Sequence, residues 1–224
     1  MGHERSIMMT EFWAPFAQDD KSVLYGNYRM MGDDQDNREF NLGVGYREIV
    51  DNMALGRGVV GVHGWFDRRV TARGSKFNQA TVGTEWLSES FDILVNGYVP
   101  LSDKNEIIVP NPNPQGASLA GTGIVVDTNG VLLEEPQHGL DIEVGTELGR
   151  YNSFIRDHTD SFRVYAGGYY FNGPNTEDVA GWRGRFTMDI TSDFEIGGRF
   201  QRDDVRGSQG FLEATFRFPM GHKK

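Results

Sequence analysis

Ionisable residues recur at every second position along much of this chain, the spacing of side chains that share one face of a β-strand. Asp141, Glu143 and Glu147 fall on one such face. Arg183, Arg185 and Asp189 fall on another. The same placement takes in Arg29, Arg47, His63, Glu85, Asp92, Asn96, Arg163, Glu195, Arg199, Glu213 and Arg217. Charges of both signs on one wet face can do two things. They can set up a transverse field across an aqueous passage, with acids near 141–147 and bases near 183–185. Alternatively, they can pair across a narrow interior and fill it.

Catalytic and metal chemistry have little support. His63 and Asp67 share a face, but the five histidines are scattered and none has H-x-x-x-H ligand spacing. There is no cysteine, which removes thiolate sites and disulfides. Asp127-x-Asn129-Gly130 has the start of a calcium-loop pattern without its downstream carboxylate. The GxG runs at 43–45 and 56–58 lie inside strand patterns rather than at a strand-to-helix turn, so they do not read as phosphate loops. No catalytic, cofactor-binding or metal residue is therefore expected, and the chain reads as no enzyme. The net charge of −10 argues against nucleic acid as a partner.

The elements that carry these residues are strands. Helical periodicity is poor almost everywhere, whereas period-two alternation recurs with turn signals between segments. In GLDIEVGTELG, residues 139–149, Leu140, Ile142, Val144 and Leu148 oppose Asp141, Glu143 and Glu147. In AGWRGRFTMDI, residues 180–190, Trp182, Phe186, Met188 and Ile190 oppose Arg183, Arg185 and Asp189. Eleven such segments are expected near 10–17, 22–31, 39–50, 57–69, 77–88, 91–100, 139–149, 161–172, 179–190, 194–204 and 209–219.

Three features place these strands in a membrane rather than a soluble sandwich. They are longer than the usual five or six residues. Aromatics such as Trp13, Trp65, Trp86, Phe91, Phe162, Phe171, Phe194 and Phe218 sit near segment ends, like interfacial girdles. The polar face carries charges of both signs. No run of about 18 apolar residues exists, so spanning would be by strands. The mean hydropathy of −0.48 on its own suggests a soluble protein, which leaves either a soluble chain or strands that show only alternate residues to lipid.

Connections alternate in length. Ser88-Glu89-Ser90 and Thr191-Ser192-Asp193 are short, while Val70–Lys76, Gly173–Asp178 and especially Leu101–His138 are longer. Membrane barrels have short periplasmic turns and long outer loops, which puts the longer connections outside. Within the longest, Asn129-Gly130 between Gly123–Asp127 and Val131–Leu133 predicts a hairpin. The Pro/Asn run 110–114 precedes it.

Several segments resemble the inverse autotransporter β-domain of the intimin and invasin type. Asn41-Leu-Gly-Val-Gly-Tyr-Arg47 is similar to "NLGLGYR". Val60-Gly-Val-His-Gly-Trp-Phe-Asp67 is similar to "LGVNxFYD", with His63 replacing Asn, and Ala80-Thr-Val-Gly-Thr-Glu-Trp86 to "RLGLGAEYW". Val95-Asn-Gly-Tyr-Val-Pro-Leu-Ser102 resembles "xNYYxPLS", and His138-Gly-Leu-Asp-Ile-Glu143 resembles "GYDLRLE". Glu11-Phe-Trp-Ala-Pro-Phe16 with Val23-Leu-Tyr25 resembles the early "LxLFLPLYD…LLFTQ" pair. The matches run in the family's order over residues 11–148; beyond 150 only the strand pattern agrees.

The resemblance implies a transmembrane antiparallel up-and-down β-barrel of about 12 strands in the bacterial outer membrane. It implies export of a C-terminal passenger, membrane lipid around the barrel, and insertion by the barrel-assembly machinery. Departures accompany it. The chain ends after its last strand segment without a passenger, the family's first strand is not evident, and no signal peptide is present. The start Met1-Gly2-His3 fits a trimmed form. The expected unit is a single domain over 1–224 with an extracellular loop at 101–138, acting as a pore, anchor or scaffold. The alternatives are a small-solute porin, a soluble β-barrel that binds a ligand with its apolar side chains inward, and, least supported, an outer-membrane enzyme. Arg in place of Val144 or Phe186 is expected to cost about 2 to 4 kcal/mol at a bilayer midplane, with Arg at Gly145 milder.

Overall fold

The computed structural model describes residues 6–52, 56–110, 117–120, 123–126 and 129–219. The chain forms an antiparallel meander. Its first six strands are β1 (Ile7–Gln18), β2 (Ser22–Asp33), β3 (Arg38–Asn52), β4 (Gly56–Val70), β5 (Lys76–Ser88) and β6 (Phe91–Pro100). Four short strands follow: β7 (Asn105–Pro110), β8 (Ala117–Ala120), β9 (Gly123–Val126) and β10 (Asn129–Glu134). The meander resumes with β11 (His138–Glu147), β12 (Ser161–Asn172), β13 (Val179–Thr191), β14 (Phe194–Asp203) and β15 (Gly207–Phe216).

Eleven strands join one sheet in the order β1 to β6, then β11 to β15. All eleven segments expected from the alternation are there. About twelve were expected; residues 7–9 lengthen β1 rather than forming a strand of their own, and no pairing among the described residues joins β1 to β15. Pro15, which has no backbone N–H, sits on the edge strand β1 beside a register shift, where the ladder tolerates it.

The long connection is ordered differently from expectation. β7 pairs with β10 and β8 with β9, as two separate two-stranded sheets. Asn129 and Gly130 lie inside β10, so they do not turn a hairpin between 123–127 and 131–133. The local Asn-Gly signal yields to pairing of β10 with the more distant β7. Asn111–Pro114, Asp127 and the Met1-Gly2-His3 start lie outside the described residues.

Antiparallel order puts Ser88–Ser90 and Thr191–Asp193 at one end of the sheet. Val70–Lys76, Leu101–His138 and Gly173–Asp178 lie at the other. One connection at the short-turn end is not short. After β11 the chain makes a 3₁₀ turn (Leu148–Arg150) and helix α1 (Ser153–His158). The Asn152 side chain caps this helix by accepting from the Phe154 and Ile155 N–H groups. Thus β11 stops at Glu147, short of the expected 149.

The two faces invert the usual distribution of a soluble protein. Buried side chains are chiefly polar: Asn41, Glu85, Asp92, Asp141 and Glu143. Large apolar side chains are exposed, among them Leu42 at 55%, Val82 at 60% and Val144 at 49%. Most large aliphatic residues therefore point away from the buried polar face, the reverse of what a soluble ligand-binding barrel would require.

Candidate functional site

Strand alternation places the long polar side chains on the face opposite the exposed apolar one, and register decides which of them meet. Glu143 on β11 and Arg183 on β13 are separated by β12, where Gly167 is the partner of both. With no side chain at Gly167, Glu143 leans over the intervening strand. Arg183 Nε lies 2.8 Å from Glu143 and Arg183 Nη2 lies 3.0 Å from Asp141. Arg185 Nη2 reaches the other Glu143 oxygen at 2.9 Å.

The same device recurs three times. Arg47 on β3 meets Glu85 on β5 at 2.5 Å over Gly61. His63 on β4 meets Asn96 on β6 at 3.1 Å over Gly83. Tyr165 on β12 donates to Asp92 on β6 at 3.0 Å over Gly145. Asp92, only 1% exposed, also takes Arg163 Nη1 at 2.5 Å. Arg163 further contacts Glu147 at 3.5 Å.

From His63 the network continues through Asn96 Nδ2 to Asp141 at 3.0 Å, joined there by the Tyr98 hydroxyl at 2.6 Å. At the wall's margins Arg29 pairs with Glu11 at 3.5 Å and lies over the Trp65 ring. Arg199 pairs with Glu213 at 3.5 Å. Arg217, just past β15, joins Asp189 at 2.7 Å and also Glu195. Every ionisable residue of the expected set is thus on this face with a named partner. The acids at 141–143 and the bases at 183–185 touch one another, so their charges cancel locally and are not held apart.

Two sequence expectations fail here. Trp13, Trp65 and Phe171 belong to the polar face, where Trp65 covers Gly43 and Phe171 covers Gly139. They are not part of an outward girdle; Trp86 is on the apolar face but packs over Gly58 and is itself buried. Gly145 lies under the Tyr165 ring, so Arg there meets an occupied space and is not mild. His63 and Asp67 do not act together. His63 turns to Asn96, while Asp67 accepts from Asn41 at 2.7 Å and Thr81 at 2.5 Å. Among the described residues no cluster of His, Asp and Glu could hold a metal ion. The bridging glycines were missed; their only sequence signal is a glycine within the polar face of a charged strand.

Tethers at the longer-loop end complete the arrangement. Glu134 on β10 accepts from Thr71 at 2.8 Å and pairs with Arg73 at 3.3 Å, both in the β4–β5 turn. Glu135 accepts from Asn175 at 2.7 Å and Gln137 donates to Thr176 at 3.0 Å, fastening the β12–β13 loop.

A model of the inverse autotransporter β-domain matches residues 3–158. The chain belongs to that family. An outer-membrane barrel of the translocator type follows from this membership; the family is not a known enzyme family. One solved structure, from a study of the in-meso crystallization of membrane proteins, superposes with a TM-score of 0.69. It is 16% identical, with 97% of this chain and 79% of that chain covered, and the likeness is one of fold. No curated protein matches the chain. The family match takes in two of the four glycine bridges whole, Arg47–Glu85 and His63–Asn96, and stops before β12, which the other two require.

Proposed function

We propose that residues 1–224 act as one outer-membrane barrel domain that serves as a braced wall and anchor. Its apolar face meets lipid, its ion-paired face lines the lumen, and the 101–138 connection lies outside the cell. The observation that carries this reading is the contrast between the faces: exposed Leu42, Val82 and Val144 against buried, mutually paired Asp92, Asp141 and Glu143. Lipid cannot satisfy charged groups, so only the first face suits the bilayer. The partners this implies are bilayer lipids and the barrel-assembly machinery.

The test is planar-bilayer conductance of the refolded chain, with heat-modifiable gel mobility as the control for folding. Folded protein without stable current steps is the expected result, because long paired side chains occupy the polar face. Discrete, lasting steps would favour the small-solute porin instead. Protein that folds without detergent and never enters a bilayer would overturn both.

A further inference from the structure

Seven arginines, Arg29, Arg47, Arg163, Arg183, Arg185, Arg199 and Arg217, are engaged on the paired face. Arg202 and a cluster of three further cations lie on the opposite face. Arg38 on β3, Arg68 on β4 and Lys76 on β5 are exposed, and none has an ion pair or side-chain hydrogen bond among the described residues. Register sets Arg38 opposite Val70 and Val70 opposite Lys76, while Phe40 is opposite Arg68. Arg68 is therefore the diagonal neighbour of both Arg38 and Lys76, roughly 7 to 8 Å away across the strands. Three like charges so placed repel one another unless an anion lies among them, and they do so in a chain of net charge −10.

The cluster stands where the exposed apolar column of Phe40, Leu42, Val62 and Phe66 ends, on the side of the longer loops. Below it runs a groove of about 930 Å³ that includes Met8, Met30, Phe40, Arg38 and Arg68 in its lining. Two of the groove's carboxylates face other groups: Asp33 accepts from Gln35 and Asn37, and Glu39 from Asn41. Asp34 remains at its lip.

We propose that this groove binds a phosphate-bearing lipid of the leaflet at the longer-loop end. Its acyl chains lie along Met8, Met30 and Phe40, and its phosphates lie among Arg38, Arg68 and Lys76. The inference rests on the membrane-embedded reading above. Guanidinium groups match phosphate oxygens in paired hydrogen bonds, and methionine walls adapt to flexible chains. A neutral lipid leaves the three charges uncompensated, and a free anion leaves the apolar groove unused.

The test uses the full chain refolded in detergent micelles. It is titrated with a bis-phosphorylated disaccharide lipid, with the same lipid stripped of phosphate, and with inorganic phosphate, and adducts are counted by native mass spectrometry. Selective retention of the phosphorylated lipid is expected. The triple variant Arg38→Gln/Arg68→Gln/Lys76→Gln should weaken it about 10- to 100-fold, while Arg202→Gln, a separate cation on the same rim and face, should not. Equal retention of the two lipids by the unaltered chain would overturn the proposal even if the triple variant failed to fold. So would a triple variant that folds and binds normally, or occupation by inorganic phosphate alone at the same concentrations. A chain that gives no heat-modifiable band in micelles would instead sink the membrane reading itself.

Discussion

At the scale of single residues, glycines decide which charges meet. Gly61, Gly83, Gly145 and Gly167 each lie between two polar side chains from the flanking strands, and each lacks the Cβ that would part them. A glycine in a strand interior weakens it unless another group approaches closely, and here that group is the Glu85, His63, Tyr165 or Glu143 side chain. Gly167 and its neighbour Gly168 separate this role from propensity. A Cβ at Gly167 would run into Glu143 and the Ile142 carbonyl, whereas at Gly168 it would meet only the Gly181 carbonyl at 3.6 Å. Gly167→Val should therefore cost about 1 to 3 kcal/mol as an overpacking change, and Gly168→Val, on the apolar face, should be close to neutral. Urea unfolding of the two variants in detergent micelles checks this. Equal loss at both sites would mean that the space over Gly167 is not what joins Glu143 to Arg183.

At the scale of elements, alternation was enough to find every strand of the large sheet and to place the charged residues singled out from it on one face, because both depend only on the local period of two. The partners were not legible, since Glu143 and Arg183 meet through the register of three strands, and no local pattern records register. The long connection failed for the related reason that Asn129-Gly130 is a strong turn signal only while its flanks pair with each other. That connection also has a pH response. Burial pushes the Glu134 carboxyl up, but hydrogen bonds from Ser75, Thr71 and Arg73 outweigh it and hold it below its ordinary value. The Asn175 side chain does most to lower Glu135, with slight burial opposing it. A carboxylate with a depressed folded value stabilises its contacts above the ordinary value, about 4.3, and loses them as pH falls through the depressed one. Amide exchange in β7 and β10, corrected for intrinsic rates, should thus be slow at neutral pH and accelerate below about pH 4. Glu134→Gln should exchange faster already at pH 7. Constant protection down to pH 3 would show that these carboxylates do not fasten the hairpin.

At the scale of the whole molecule, two features act together. The exposed face carries Leu42, Val44, Val60, Val62 and Val82 on the adjoining strands β3, β4 and β5, Val99 on β6, and Leu140, Ile142 and Val144 on β11. Contiguous exposed apolar surface of this kind marks an interaction or membrane face rather than a surface left to water. The sheet also leaves the outer edges of β1 and β15 without partners among the described residues, and an unpaired edge is a template for association. In water both defects favour aggregation, and the polar face, whose buried side chains are chiefly polar, offers little apolar core to compete. In micelles the acyl chains cover the apolar face and leave the paired face as it is. Dilution from urea should consequently give sheet structure with heat-modifiable mobility only when detergent is above its micellar concentration, and sedimenting aggregate below it. Monodisperse, folded protein in plain buffer would mean that the apolar face finds cover within the chain or a second copy, and would remove the physical basis for assigning that face to lipid.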